Sequence, residues 1–217
     1  MQKKGRDAEL VTQYEMHTVE QLGLLKMDFL GLRNLSIIDR TVELIDKDEF
    51  NIDKIPLTDE KTFELFSSGR MIGVFQLESR IAQITARSLK PKRFEDIVAL
   101  VALIRPGPLG ANMHIEFADR ATGKKEIEFL HDDLKVILEE TYGVILYQEQ
   151  VMQIAQRISG FQLDEADDLR KAMGKKIPKV MEQQRKKFTE GAIKNGYSDQ
   201  FSIELFDQIA FFAGYGF

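Results

Sequence analysis

The sequence predicts a mainly α-helical protein with a few short strands. Apolar residues recur at helical spacing in two stretches. Leu35, Ile38, Val42 and Ile45 form a helical stripe, and Val151, Ile154, Ala155 and Ile158 have the i, i+3, i+4, i+7 spacing of an amphipathic helix. Two shorter apolar runs, Gly23–Leu32 and Tyr142–Tyr147, are typical of buried strands. Helical periodicity therefore dominates, and the two runs supply the strands.

The remaining elements follow from periodicity, capping residues and breakers. The predicted elements are, in chain order, a strand over 23–32, helices over 34–46, 58–69, 97–104, 112–125 and 132–140, a strand over 142–147, and helices over 148–159, 164–174, 178–195 and from 198 onwards. Eight consecutive apolar residues in 97–104 predict a helix that is buried on most sides at the centre of the core. Pro106 and Pro108 then predict a stiff corner.

Capping residues set the expected helix bounds. Thr58 is the expected N-cap of one helix, and Gly69 its stop. Asp164 is the expected N-cap of another, which would end near Gly174. Pro178 suits the first turn of the helix that follows.

The composition limits the class of protein. Of the 217 residues, 43% are hydrophobic and 30% are charged, which is ordinary for a soluble globular protein. No apolar run is long enough to span a bilayer, so no membrane partner is expected. The absence of cysteine excludes disulfides and thiolate metal sites and fits a cytoplasmic location. The two commonest glycine-rich nucleotide loops are absent.

Positive charge is concentrated late in a chain whose net charge is −5. Between Arg170 and Lys194 there are nine Lys or Arg against two Glu, a local balance of +7. Arg170 and Lys171 stand near the end of a predicted helix, before the basic turn of Lys175 and Lys176. This arrangement suits an anionic ligand, but cations at a helix C-terminus also favour the helix dipole without any ligand. A solvated helix face is the other interpretation of the basic run.

Lys26 and Asp28 interrupt the first apolar run. In a strand they would point to the same face, because side chains alternate. A charged pair inside an apolar strand is paired, metal-bound or at the strand edge, since unpaired buried charge is costly.

Several stretches together resemble one family. They are LLKMDFLGLR, GVFQLES, ALIRPGPL, YGVILYQEQVMQIA, LRKAMGKK and the closing FAGYGF. They occur in the order found in the bacterial replicative DNA polymerase III alpha subunit, a C-family polymerase, and the likeness runs from about Thr12 to Phe217. The resemblance implies a helical fingers domain over 35–217, truncated at its C-terminal end, and a small palm-derived β element over 1–34.

The resemblance also implies roles for individual residues. Asp28 matches the third metal-binding, catalytic aspartate of the palm. Residues matching the nucleotide-binding positions are Lys26, Arg170, Lys171 and Tyr215, and the candidate contacts to DNA or phosphate are Arg105, Lys175 and Lys176. Lys171 stands where the family has a second arginine, and it keeps the charge but not the bidentate geometry.

The implied function is template-directed nucleotidyl transfer in DNA replication. The expected partners are primer-template DNA, deoxynucleoside triphosphates and other subunits of the replicative polymerase holoenzyme, with Mg²⁺ as the cofactor of the complete polymerase. Two-metal phosphoryl transfer needs several carboxylates, and no Pro-Asp-x-Asp motif occurs here. We therefore expect an excised piece of an enzyme that is inactive alone.

The residues alone also fit two other classes of protein. A non-catalytic helical nucleic-acid-binding module would bind phosphates with a steep salt dependence and no magnesium effect. A protein-interaction domain would bind neither DNA nor nucleotide.

Overall fold

The computed structural model describes residues 2–3, 10–27, 29–45, 50–175 and 178–213. The chain divides into two compact units, Met1–Asp53 and Lys54–Phe217. Helices dominate both units, which confirms the mainly α fold class. In the part of the chain that the structure describes, no helix is long and apolar enough to cross a membrane.

The first unit is small, and none of its residues with a described side chain is buried. Its elements are β1 (Gln2–Lys3), β2 (Leu10–Val11), α1 (Met16–Gln21), α2 (Asn34–Ile45) and a 3₁₀ turn at Ile52–Lys54. β1 and β2 pair antiparallel, with Gln2 opposite Val11. The helix predicted over 34–46 is confirmed, but it carries no buried residue, and Leu35 is 78% exposed. An amphipathic stripe predicts packing into a core, but none of the described residues of α2 is buried.

The strand predicted over 23–32 is also wrong. The described residues of this run have no regular secondary structure after the turn at Gly23, and Leu25, Phe29 and Leu30 are 84%, 89% and 93% exposed. The apolar run matched a buried strand in composition. Composition does not supply the neighbouring strand that a sheet requires.

The second unit contains ten α-helices within the described residues. They are α3 (Glu60–Ser68), α4 (Arg80–Leu89), α5 (Phe94–Leu103), α6 (Pro106–Gly110), α7 (Met113–Ala121), α8 (Lys135–Leu138, after a 3₁₀ turn at Asp132–Leu134), α9 (Gln148–Ser159), α10 (Leu163–Lys175), α11 (Pro178–Lys194) and α12 (Asp199–Ala213). α3 begins at its N-cap Asp59, whose carboxylate accepts a hydrogen bond from the Thr62 backbone N–H. The prediction of Thr58 as the cap is wrong, whereas Gly69 ends the helix as predicted.

Helix α9 lies at the centre of the core. It packs against α8, α10 and α11, and its predicted stripe of Val151, Ile154, Ala155 and Ile158 is fully buried. Helix α5 is less buried than predicted, because Val98 is 43% exposed and only one side faces the core. The central position belongs to α9 and not to α5.

The stretch that precedes α9 is a turn and not the predicted strand. Tyr142 and Gly143 both have left-handed backbones, with φ of 53° and 77°. The Tyr142 hydroxyl donates to the buried carboxylate of Asp96 at 2.9 Å, and Arg93 donates to the same oxygen at 3.1 Å. Burial raises the pKa of the nearby Tyr147 to about 12, so this phenol stays protonated at neutral pH. The aromatic residues that resembled a strand are anchors of this turn.

Candidate anion-binding site

Helix α10 presents one buried and one charged face. Ala166, Leu169, Ala172 and Met173 are at most 3% exposed and hold the helix against its neighbours. The opposite face carries Asp167, Asp168, Arg170 and Lys171. The i, i+3, i+4 spacing of the sequence separates these two faces.

The first turn of α10 is held from outside the helix. The Glu165 carboxylate accepts hydrogen bonds from the Gln162 backbone N–H at 2.8 Å and from Lys187 of α11 at 2.7 Å. Glu165 therefore caps the helix and links it to α11, and the predicted role of Asp164 as the cap is wrong. These contacts fix the position of the charged face.

The end of α10 differs from the prediction. The helix continues through Gly174 to Lys175, so Gly174 is not its stop. Arg170 and Lys171 consequently lie just before the last turn, and the helix dipole acts mainly within that turn. The helix dipole alone therefore explains poorly why two cations stand at these positions.

Asp167 holds both cations. Its Oδ1 accepts hydrogen bonds from Arg170 Nε at 2.8 Å and Nη2 at 2.7 Å, and its Oδ2 lies 2.7 Å from Lys171 Nζ. Arg170 and Lys171 remain 37% and 55% exposed. One carboxylate thus orients a guanidinium and an ammonium side by side on the surface.

The pairing shifts the pKa of Asp167 and of Lys171. Hydrogen bonds from Lys171 and then Arg170 lower the pKa of Asp167, and the same carboxylate raises the pKa of Lys171. Lys171 therefore stays charged at neutral pH. Because exposed ion pairs contribute little net stability, a polyanion can replace Asp167 as the partner of both cations at small cost.

Three further cations of the basic run have acidic partners, either on another helix or on α11 itself. Lys187 pairs with Glu165, Arg185 with Asp207 at 2.6 Å, and Lys186 with Glu190 at 3.8 Å. Two of these acids, Glu165 and Asp207, lie outside the run and offset part of its excess of positive charge. This pattern disfavours a continuous phosphate-binding surface along α11.

A cavity of larger volume than the one beside Arg105 lies elsewhere in the second unit. It measures about 840 Å³ between α7, the turn before α9 and α12. Four acidic side chains line it, which are Glu116, Asp199, Glu204 and Asp207. Arg120 also lines it, but acidic side chains outnumber this cation, so the cavity suits an anion poorly and is not the candidate site.

Arg105 lies on a separate surface. It is partly buried at the start of α6 and lines a cavity of about 260 Å³ with Gln76, Val101, Ile104 and Pro106. The corner that Pro106 and Pro108 were expected to make is the short helix α6.

The structure describes only some of the other site residues that the sequence predicts. Lys26 is exposed in the first unit, whereas Arg170 and Lys171 belong to the second. Asp28, Lys176 and Tyr215 lie outside the described residues, and Lys175 is the last residue of α10. Their assembly at one ligand stays a prediction.

The described residues do not supply a metal centre. Across residues 10–27, 29–45, 50–174 and 178–212, no group of three or more His, Cys, Asp or Glu side chains is placed to hold a metal ion. A two-metal site needs several convergent carboxylates. The described side chains therefore do not form a two-metal site, and no chemical step is assigned to a metal.

Comparison with known families identifies the chain. A family model described as the bacterial DNA polymerase III alpha subunit finger domain matches residues 34–196, which include α10. The chain belongs to this family. A second model, for the bacterial DNA polymerase III alpha NTPase domain, matches residues 1–31. The resemblance that the motifs indicated is confirmed.

Individual relatives agree with the DNA polymerase III alpha family. The DNA polymerase III subunit alpha of Escherichia coli K12 is 49% identical over 219 residues, covering 95% of this chain and 19% of the relative. The subunit of Bacillus subtilis is 47% identical, and the match covers 99% of this chain and 19% of the relative. The subunit of Staphylococcus aureus strain COL is 48% identical, and the match covers 97% of this chain and 20% of the relative. The chain thus spans about a fifth of the length of the curated relatives it matches.

Sequence reasoning identified the cations of this fingers-domain chain but missed their shared partner. Asp167 precedes Arg170 and Lys171 by three and four residues, a spacing at which helix side chains meet. That spacing could have revealed the pairing. Sequence reasoning also did not place Gln76 in one cavity with Arg105, since only the fold brings them together.

Proposed function

We propose that the chain is the fingers and palm-edge part of a replicative DNA-directed DNA polymerase. In this role, it binds the incoming deoxynucleoside triphosphate and primer-template DNA for template-directed nucleotidyl transfer. The palm edge would comprise residues 1–34, and the fingers 35–217. The observation that carries the proposal is the pair Arg170 and Lys171, oriented by one carboxylate on the exposed face of α10.

The chemistry of the pair suits a triphosphate. Several negative charges lie close together on this ligand, and Lys and Arg side chains bind them in phosphoryl-transfer enzymes. The Nε and Nη2 groups of Arg170 both contact one oxygen of Asp167, and they can instead donate two parallel hydrogen bonds to phosphate oxygens. A polyanion competes well against a single exposed carboxylate for both cations.

The other candidate residues complete the proposal. Lys26 and Tyr215 would contact the nucleotide, and Asp28 would be the ligand of this chain for Mg²⁺ in the complete polymerase. Arg105, Lys175 and Lys176 would contact DNA or phosphate. The remaining partners are other subunits of a replicative polymerase holoenzyme in the cytoplasm. Family membership and the matching motifs support these assignments.

Nucleotide titration tests the role of Arg170. A fluorescent deoxynucleoside triphosphate is titrated with the 217-residue chain, with and without Mg²⁺. We expect weak, magnesium-sensitive binding, and Arg170→Ala should weaken it about tenfold to a hundredfold, because a charge-assisted contact is lost. Arg157→Ala is the matched control, since Arg157 also pairs with an aspartate, at 2.8 Å.

A second variant separates ligand binding from helix structure. Asp167→Asn removes the competing charge with little change in shape, so it should tighten nucleotide binding while Arg170→Ala loosens it. If the ion pair serves only the helix, neither variant changes the affinity relative to Arg157→Ala. Equal affinities of all four proteins would contradict the proposal.

A further inference from the structure

The loop between α3 and α4 exposes apolar side chains between two buried anchors. Met71 and Leu77 are 0% and 3% exposed, whereas Ile72 and Phe75 between them are 88% and 53% exposed. The anchors hold the loop in place. The exposed side chains are therefore presented on a fixed support.

The backbone of this loop is strained at Gln76. Its φ is 64°, in the left-handed region that glycine adopts more readily. Hydrogen bonds impose the conformation, from Leu77 N–H to the Val74 carbonyl at 3.0 Å and from Gly73 N–H to the Glu78 carboxylate at 2.7 Å. Strain of this kind is concentrated at ligand clamps and other functional segments.

Gln76 shares a small cavity with Arg105. Its volume is about 260 Å³, and Val101, Ile104 and Pro106 complete the lining. Cavities for whole ligands begin at about 300 Å³, so this cavity fits one chemical group and not a complete nucleoside triphosphate. An amide, a guanidinium and an apolar floor suit a flat heterocycle with hydrogen-bonding edges and an adjacent phosphate.

Charge near the loop also favours a polyanion. Arg70 and Arg80 are exposed at its two ends in sequence. The only carboxylate in the loop, Glu78, accepts the Gly73 N–H. Together with Arg105, the loop carries the cation–aromatic combination that binds single-stranded nucleic acid.

We infer that the loop of residues 70–79 and the α5–α6 corner form a subsite for one unpaired nucleotide of single-stranded DNA. Gln76 contacts the base edge, Arg105 contacts a neighbouring phosphate, and the ring of Phe75 stacks on an adjacent base. This inference rests on the proposed function, because it assigns a subsite to the DNA that a polymerase would bind.

Fluorescence anisotropy tests the subsite without nucleotide or magnesium. The probes are a labelled thymidine strand of about eight nucleotides and an abasic strand with the same number of phosphates. The 217-residue chain should bind the thymidine strand at least about fivefold more tightly, since base stacking and base-edge contacts are lost without bases. Arg105→Gln should weaken the binding of both strands.

Gln76→Gly is the decisive variant, because glycine keeps the left-handed turn and removes only the amide side chain. Its melting temperature should equal or exceed that of the parent, and its preference for the thymidine strand should fall towards one. Binding of the abasic strand should stay unchanged. Gln156→Ala, at an exposed position of α9, is the control that should change neither value.

Three results would overturn the inference. They are equal binding of the two strands by the parent, an unchanged preference in Gln76→Gly, and no binding of either strand. The last would leave a protein partner as the occupant of the exposed loop. Gln76→Gly should leave triphosphate binding intact, so a failure here is distinguishable from a failure of the role of Arg170.

Discussion

The side chain of Gln150 holds the turn that leads into α9. It is 5% exposed. Its Oε1 accepts hydrogen bonds from the backbone N–H groups of Leu146 at 2.8 Å and Tyr147 at 3.0 Å. Its Nε2 donates to Thr141 Oγ1 at 2.8 Å and to the Ile137 carbonyl at 3.3 Å. Replacement by leucine keeps the approximate size but leaves two backbone donors without a partner.

The structure sets the magnitude for Gln150→Leu. An unsatisfied buried donor costs about 1–3 kcal/mol. Leu146 is buried, and Tyr147 is only partly buried. Leaving the Tyr147 N–H without a partner should therefore cost an amount near the lower limit of this range. We therefore expect a loss of about 3 kcal/mol in the free energy of unfolding. With a urea m value of about 2 kcal/mol/M, the unfolding midpoint should fall by about 1.5 M.

Urea titration followed by circular dichroism measures this shift. Gln156→Leu is the control, since it makes the same replacement at an exposed position of α9 and should change stability by no more than about 0.5 kcal/mol. If both variants unfold at the same urea concentration, the hydrogen bonds of Gln150 do not stabilise the turn, and the reasoning is refuted.

Two further predictions concern backbone space and pH. Gly191→Ala should destabilise the protein by at least about 2 kcal/mol, because the added Cβ would overlap the Ser159 carbonyl. Gly174→Ala should stabilise α10 by about 0.5–1 kcal/mol, because the added Cβ would meet open space. Thermal melts in which Gly191→Ala is not the less stable variant would contradict this prediction. The hydrogen bond from Tyr197 lowers the pKa of Asp133 in the folded protein. The Asp133 carboxylate therefore contributes fully to stability above the unfolded pKa of about 3.9, and this contribution is lost as the pH falls through the lower folded pKa. Asp133→Asn should therefore lower the urea midpoint at pH 7, and the difference from the parent should shrink by about pH 3; an equal difference at both pH values would count against it.

The helices with strong apolar stripes were predictable from sequence. The stripe of α9 contains Val151, Ile154 and Ile158, whose large side chains make the period clear. Helix α4 was not predicted, because its buried positions are Ala82, Thr85, Ala86 and Leu89. They have helical spacing, but three of the four are small or polar. A weak hydrophobic signal therefore concealed a regular helix.

The two predicted strands failed for a common reason. Both runs had the composition of a strand, which describes one segment and not its partner. At Tyr142, the decisive contacts come from Arg93 and Asp96, nearly fifty residues earlier. A local pattern contains no information about contacts at that separation.

The sequence by itself determined the family, the helical class and the cations of α10, since motifs and periodicity depend on residues close together in the chain. Even the pairing of Asp167 with Arg170 was encoded locally. Only the tertiary structure brought Gln76 to Arg105 and buried Gln150 among backbone donors. Helix packing decides such contacts, because it depends on the shapes of whole faces and not on the spacing of neighbours.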